Sequence, residues 1–141
     1  MVEGLININN LKENNMAKSV ISTEKAPAAV GPYSQAVKTG NLVLTSGQIG
    51  LDPATGKMVE GGVVPQAKMV LDNLAAVLEA AGSGMDSILK CTIFLADMGD
   101  FAAVNEIYKD RFSGDFPARS CVAVKQLPLG ALLEIEAIAE A

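Results

Sequence analysis

The residues best suited to chemistry lie near the C-terminal end, in the stretch FPARSCVAVKQLPLGALLEIEAIA. Arg119 is one of only two arginines and begins one strand-like run, and Glu134 and Glu136 lie in a second run after a Pro-Leu-Gly turn. An arginine fork binds a carboxylate through two hydrogen bonds, which lysine cannot reproduce. If the runs are adjacent strands, Arg119 and a glutamate form either a structural ion pair or a small site for an anionic substrate.

The two glutamates lie on one face of the predicted strand, together with Leu132 and Ile138, because strand side chains alternate with a period of two. On a solvated face both carboxylates are simply the polar side of the strand. On a buried face, desolvation raises the pKa of a carboxyl group towards the range useful for proton transfer. The pattern alone separates neither these alternatives nor Glu134 from Glu136.

Two further residues and one triplet each have two interpretations. Tyr33 lies in a proline-rich loop, where it either presents a hydroxyl donor or packs over a sheet edge. The triplet 46–48, Ser-Gly-Gln, interrupts an apolar strand, which favours a β-bulge, although the glycine also permits close approach of a neighbour or ligand. Asn105 falls in a predicted helix, where a solvated position is the simpler interpretation.

The composition limits which chemistry is available. The 141-residue chain has no histidine, which removes the commonest general base, the usual zinc ligand and every Ser-His or Cys-His nucleophile system. Catalysis therefore has to use carboxylates, backbone groups, Tyr, Lys or Arg, and we expect no metal. Cys91 and Cys121 are thirty residues apart without a CxxC pair, so we interpret both as buried reduced thiols.

The charge and hydropathy patterns limit the class of partner and the cellular compartment. A net charge of −5 with scattered lysines disfavours nucleic acid as a partner. No stretch reaches the roughly 18 apolar residues that a membrane helix needs, and the N-terminus has neither the basic start nor the apolar block of a secretory signal. We therefore expect a cytoplasmic protein.

The elements that must position these residues follow the order β-β-α-β-α-β-β, with an extra N-terminal strand. Strands are predicted at 19–23, 36–39, 42–50, 88–96, 120–125 and 132–139. The first helix begins near Pro65, carries one apolar stripe and ends at Gly82 as a left-handed cap. The second helix is expected to be capped by Asp100. The stripe comprises Ala67, Val70, Leu71, Leu74, Val77, Leu78 and Ala81, and the inner side of the second helix comprises Phe101, Val104, Ile107, Tyr108 and Phe112.

The domain prediction is one α+β domain over residues 16–141. Residues 1–15 are Asn-rich and aperiodic, which indicates a disordered leader or an extension added during cloning, and Met16 is a natural alternative start. Two helices cover only one face of such a sheet. Because the strands are apolar on both sides, the uncovered face would be an unusually large exposed patch. We therefore predict a homo-oligomer that buries this face.

Several segments together resemble the RidA (YjgF) family of reactive-intermediate deaminases, and the match is collinear from about Ser19 to the C-terminus. They are APAAVGPYSQAV, LVLTSGQIGLDPATGK, QAKMVLDNLAAVLEAAG, DFAAVNEIYKDRF and FPARSCVAVKQLPLGALLEIEAIA. The last segment is the family's signature, and the presence of Arg119 makes the chain similar to the archetypal imine/enamine deaminase branch.

The resemblance implies a chorismate-mutase-like fold and a homotrimer whose sheets line a central barrel, with active clefts between subunits. It also implies hydrolysis of enamine and imine intermediates such as 2-aminoacrylate and 2-iminopropanoate to a 2-oxo acid and ammonia, without a cofactor. The alternative is a non-catalytic oligomer that uses the same cleft to bind 2-oxo acids.

By position, the resemblance implies that Arg119 holds the substrate carboxylate and that Glu134, rather than Glu136, orients or activates the attacking water. Cys121 would line the cleft and contribute main-chain groups. The further cleft positions implied are Tyr33, Ser46, Gly47 and Asn105.

Overall fold

A computed structural model describes residues 17–141, so the predicted leader and the alternative start at Met16 lie outside the described residues. These described residues form a mixed α+β fold with one six-stranded sheet and two helices, as expected. The strands are β1 (Ser19–Ile21), β2 (Ala36–Thr39), β3 (Leu42–Thr45), β4 (Ile88–Leu95), β5 (Ala118–Ala123) and β6 (Leu133–Glu140), and the helices are α1 (Val63–Ala80) and α2 (Phe101–Lys109).

The order of strands in the sheet is β1-β2-β3-β6-β4-β5, with β4 and β5 parallel and every other pair antiparallel. The possibility that the two C-terminal strands are adjacent is therefore not realised, because β4 lies between them. A parallel pair needs a crossover connection, which α2 supplies between β4 and β5. The following strand, β6, then pairs with the other edge of β4.

The helices cover one face of this sheet. The predicted apolar stripe of α1 is confirmed, since its residues are buried against the sheet. The helix begins at Val63, two residues before Pro65, and Gly82 follows it with a φ of 78°, as expected of a left-handed cap. On the sheet, the residues facing α1 include Cys91, Ile93, Leu133 and Ile135, all of them buried.

Asp100 occupies the N-cap position of α2, as predicted, but its side chain does not make the capping bond. A 3-10 turn, Met98–Asp100, precedes the helix, and its cap is Asp97, whose Oδ1 accepts a hydrogen bond from the Gly99 N–H at 2.8 Å. Asp100 already has helical backbone angles, so its side chain makes no capping bond. Val104 and Tyr108 face inward as expected, but Phe101 is partly exposed.

Among residues 17–141 no helix lies on the opposite face of the sheet, which is called the open face below. One row of directly paired residues runs across it, formed by Val20, Val37, Leu44 and Ile138. Three of these four side chains are between 38% and 63% exposed. Within residues 17–141, neither helix combines the length and the apolar character needed to cross a membrane.

Candidate active site

Glu134 lies on β6 with its side chain on the open face, because the alternate residues Leu133 and Ile135 are buried under the helices. It is directly paired with Phe94 of β4 and is itself only partly exposed. Burial raises the pKa of the Glu134 carboxyl group above its ordinary value of 4.5, and the nearby charge of Glu136 raises that pKa further. The partly buried alternative therefore applies to Glu134.

Gly47 lies against this carboxylate. A Cβ atom built on Gly47 would stand 1.9 Å from Oε1 of Glu134 and 2.7 Å from its Cδ. The registers Leu44↔Ile138 and Gln48↔Ile135 leave one extra residue on the side of Gly47, so the predicted β-bulge is confirmed. The close approach, which was the alternative interpretation, is also present, because the bulge brings the glycine backbone over Glu134.

Ser46 links this bulge to the loop that carries Tyr33. The Ser46 hydroxyl donates a hydrogen bond to the Ser34 carbonyl at 2.5 Å, and its N–H donates to the Gln35 carbonyl at 2.9 Å. Tyr33 is 53% exposed, and its hydroxyl oxygen accepts a hydrogen bond from the Val30 N–H at 3.3 Å. Ser46 and Gly47 thus lie at the bulge beside Glu134, and the bonds of Ser46 connect the bulge to the loop that carries Tyr33. Tyr33, Ser46, Gly47 and Glu134 are called the glutamate cluster below.

Two buried amides, which the sequence interpretation missed, hold the glutamate cluster in place. Gln35 bonds to the backbone of the 23–27 segment, including the Thr23 N–H at 2.7 Å and the Pro27 carbonyl at 2.8 Å. Asn73 of α1 donates to the carbonyls of Ile49 and Leu51 at 3.1 and 2.8 Å, just beyond the bulge. The sequence contained a signal for Asn73, because it is a polar residue at an apolar-stripe position of α1.

Arg119 lies on the edge strand β5 and faces α2. Its Nη1 donates a hydrogen bond to Oδ1 of Asn105 at 2.6 Å. The guanidinium carbon also stands 4.9 Å from the ring centre of Tyr108 and 5.5 Å from that of Phe101. The interpretation of Asn105 as a simple solvated position is wrong, since this side chain is partly buried and bonded to Arg119.

Cys121 follows two residues later on the same face of β5 and packs at the margin of the core. Burial raises the pKa of its thiol and the charge of Arg119 opposes that rise. Cys91 is fully buried, and Cys121 partly so, and both thiols are free. Arg119, Asn105 and Cys121 are called the arginine cluster below. Next to it lies a cavity of about 390 Å³ lined by Asn105, Tyr108, Lys109, Phe116, Pro117 and Arg119.

The two clusters lie on opposite faces of the sheet. Arg119 is in register with Cys91, and Cys91 with Ala137, so Arg119 shares the helix-covered face with those two buried residues. Glu134 points to the open face, as described above. Within residues 17–141, Arg119 forms no ion pair with a carboxylate. The structural ion pair that the sequence left open is therefore absent from the described part of the chain.

Comparison with known proteins identifies the family. A family model described as Endoribonuclease L-PSP matches residues 23–141. The chain belongs to the L-PSP family. Its relatives include the 2-iminobutanoate/2-iminopropanoate deaminase of Mus musculus, which is 53% identical over 89% of this chain and 93% of the mouse protein.

Solved structures of L-PSP relatives match the fold described above. The structure of YyfA from Yersinia pestis, described as a member of the conserved Rid protein family, has a TM-score of 0.86 and 50% identity, covering 89% of this chain and all of that one. The structure of E. coli TdcF with bound serine has a TM-score of 0.83 and 45% identity, covering 87% of this chain and 98% of that one.

In this L-PSP chain, four of the seven predicted site residues thus belong to the glutamate cluster and three to the arginine cluster. Among the described residues, no three side chains of the His, Cys, Asp and Glu types gather into a group that could hold a metal ion. The chemical groups available are a guanidinium beside an open cavity and a partly desolvated carboxylate beside a glycine backbone.

Proposed function

We propose that this protein is a hydrolytic deaminase of small 2-imino acids and their enamine tautomers, which releases a 2-oxo acid and ammonia. The observation that carries the proposal is the identity of about half of all residues, over nearly the whole length, with relatives named 2-iminobutanoate/2-iminopropanoate deaminase. The net charge of −5 is unfavourable for a nuclease, whose substrate is a polyanion.

The complete active site is proposed to form between two protomers. The arginine and glutamate clusters lie on opposite faces of one sheet, so a small substrate would not reach both within one chain. A homotrimer that buries the apolar row of the open face would bring the glutamate cluster of one protomer near the arginine cluster of its neighbour. The exposure of Val20, Leu44 and Ile138 supports such burial.

In the proposed site Arg119 binds the substrate carboxylate. One of its Nη1 hydrogens is used by Asn105, and the other N–H donors of the guanidinium are available for two parallel hydrogen bonds to the substrate. This clamp fixes the imine carbon relative to Glu134. Holding two reactants in a reactive geometry lowers the barrier without any metal or covalent intermediate.

Glu134 is the proposed general base. After the enamine has tautomerised to the imine, a water hydrogen-bonded to Glu134 attacks the imine carbon, and the released proton passes to the carboxylate. Glu134 returns this proton to the nitrogen, which gives the neutral carbinolamine. The hydroxyl proton of the carbinolamine then passes through Glu134 to the nitrogen, the C–N bond breaks, and the 2-oxo acid and ammonia are released. A carboxyl pKa raised by burial suits both proton acceptance and proton return.

The test is a coupled assay in which an amino-acid oxidase generates the imine and semicarbazide traps what remains. Wild-type protein should accelerate loss of the trapped signal, and Arg119→Ala should abolish the acceleration. Arg111→Ala is the matched control, because Arg111 pairs with Asp72 on the surface, away from both clusters. Sedimentation should give the same oligomeric state for all three proteins.

A non-catalytic binding protein is the second candidate, and the serine bound in the TdcF structure is the observation in its favour. The same samples separate the two functions. Unchanged imine decay together with measurable binding of 2-oxobutanoate by calorimetry would replace the enzyme with the binding protein. Turnover in Arg119→Ala at the wild-type rate would exclude the proposed role of Arg119.

A further inference from the structure

Three side chains from one face of α2 surround the Arg119 guanidinium. Phe101, Asn105 and Tyr108 follow the helical spacing i, i+4, i+7, which places them in one row. Asn105 holds Nη1 by a hydrogen bond of 2.6 Å, and the two rings lie on either side of that bond along the helix, at 5.5 and 4.9 Å from the guanidinium carbon. We call these three residues the arginine cradle.

The aromatic content of the chain is concentrated at this place. Only six residues are Phe or Tyr, and four of them lie in or next to the arginine cradle. Phe112 packs against Tyr108 with ring centres 4.8 Å apart, and Phe116 packs against Phe112 at 5.9 Å. Phe116 is mostly exposed and lines the cavity beside Arg119.

The chemistry of the cradle is unusual for holding an arginine. A carboxylate is the usual partner of a partly buried guanidinium, but a carboxylate would neutralise the charge needed for an anionic ligand. An amide oxygen and two ring faces attract the cation without cancelling its charge. They also restrict its rotamers, which lowers the entropy lost when an anion binds.

We infer that Phe101, Asn105 and Tyr108 are positioning residues, which hold the Arg119 guanidinium oriented and un-neutralised for a carboxylate ligand. Their connection to catalysis rests on the proposed deaminase function, whereas the cradle itself rests only on the contacts above. Asn105 acts on Arg119 rather than on the substrate. The cradle variants keep Arg119 itself, so they lose only its preorganisation. The clamp then forms at a greater entropic cost in the ground state and the transition state alike, which raises KM and leaves kcat nearly unchanged.

The ring of Tyr108, not its hydroxyl, makes the contact with Arg119. Within residues 17–141 the buried Tyr108 hydroxyl has no hydrogen-bond partner of ordinary geometry, although it lies near the Cys91 thiol. Burial raises the pKa of this phenol, so it remains protonated. Replacing Tyr108 by Phe therefore keeps the cradle, and replacing it by Leu removes one wall.

Arginine side-chain NMR tests the cradle without any activity assay. The chain has two arginines, so a ¹H–¹⁵N spectrum contains two Nε–H signals, and Arg111→Lys assigns them. We expect the Arg119 signal upfield of the Arg111 signal because ring currents shield a group above an aromatic face. Phe101→Leu and Tyr108→Leu should move it towards the Arg111 position, and Tyr108→Phe should not.

Kinetics on Phe101→Leu and on a further variant, Asn105→Ala, provide the second measurement. We expect Asn105→Ala to raise KM for the imine about tenfold and Phe101→Leu about threefold, with kcat changed by less than about twofold. Phe101 is partly exposed, so its variant tests the cradle even if the buried Tyr108→Leu variant fails to fold.

The outcomes separate this inference from the proposed function. If the wild type leaves imine decay unchanged but the Arg119 signal moves in the ring variants, the cradle stands and the deaminase function is wrong. If the wild type is active but Phe101→Leu keeps both the wild-type signal and the wild-type KM, and Asn105→Ala keeps the wild-type KM, the cradle is wrong and the deaminase function stands.

Discussion

Gly47 lies so close to Glu134 that no other residue fits at position 47 without displacing the carboxylate. The nearest atoms to a Cβ at this position all belong to Glu134, at 1.9 Å for Oε1, 2.7 Å for Cδ and 2.8 Å for Cγ. Glycine at position 47 therefore leaves the space that the Glu134 carboxylate occupies, and the position of the proposed general base depends on it.

Gly47→Ala should lower kcat/KM about a hundredfold, because displacement of a catalytic group by about 1 Å has effects of this size. The measurement is the semicarbazide-coupled assay. Gly84→Ala is the matched control, since Gly84 has extended backbone angles and no atom within 4 Å of an added Cβ. Wild-type kcat/KM in Gly47→Ala as well as in Gly84→Ala would show that the position of Glu134 is unimportant.

Mixed oligomers test whether the site forms between protomers. Arg119→Ala and Glu134→Gln are each expected to be inactive alone. If each site takes Arg119 from one protomer and Glu134 from the next, every mixed trimer contains one intact site. Random reassembly of an equal mixture should then recover about one quarter of wild-type activity.

The control for the mixing experiment is the double variant that carries both Arg119→Ala and Glu134→Gln. Reassembled with either single variant, it should recover no activity, because each such mixture lacks one of the two side chains altogether. Reassembly is by co-refolding, followed by the coupled assay at one protein concentration. A complete lack of recovery, with mixed oligomers detected by mass spectrometry, would place both residues in the same protomer's site and contradict the proposed arrangement.

The pH profile separates Glu134 from Glu136. Glu134 must be ionised to accept a proton, so activity should fall as pH decreases through its raised pKa. Glu136→Gln removes the like charge that contributes to this rise, so the pKa of Glu134 should fall and the acidic limb of kcat/KM should move to lower pH. Burial, the larger cause, remains in this variant, so the pKa of Glu134 should stay above 4.5.

Glu134→Gln is the comparison variant, in which the acidic limb should disappear together with most of the activity. The measurement is kcat/KM between pH 4 and pH 8 for the wild type and both variants. Loss of activity in Glu136→Gln, with normal activity in Glu134→Gln, would reverse the assignment of the two glutamates.

Asn73→Ala should destabilise the protein by about 1–3 kcal/mol, because the Ile49 and Leu51 carbonyls lose a buried donor. The measurement is urea unfolding followed by circular dichroism at one fixed protein concentration. Asn41→Ala, at an exposed turn position, is the control and should change the free energy of unfolding by less than about 0.5 kcal/mol. Equal free energies of unfolding for Asn73→Ala and Asn41→Ala would mean that the Asn73 amide contributes nothing to stability.

Local patterns in the sequence predicted most of the elements correctly. The period of 3.6 identified the buried stripe of α1, and the period of two assigned Glu134 and Glu136 to one face of β6. The bulge at Gly47 was also predicted, since a glycine that interrupts an apolar strand often marks a bulge or a close approach of the backbone. These features depend on near neighbours in the chain, so the sequence contains the information directly.

The order of the strands depended on contacts that no local pattern records. Two runs joined by a short turn left adjacent strands possible. Among residues 17–141, however, β6 pairs with β3 and β4, and β5 pairs only with β4. The 3-10 turn before α2, in which Asp97 rather than Asp100 makes the side-chain capping bond, likewise left no clear trace in the sequence.

The sequence by itself determined which residue types were available: one strand-borne arginine, two alternating glutamates and no histidine. Only the tertiary structure decided their relation. Insertion of β4 between β5 and β6, with the observed register, turned Arg119 towards α2 and left Glu134 on the open face. Pairing between distant segments sets this arrangement, because the side-chain direction on each strand follows from its register with its neighbours and not from its own residues.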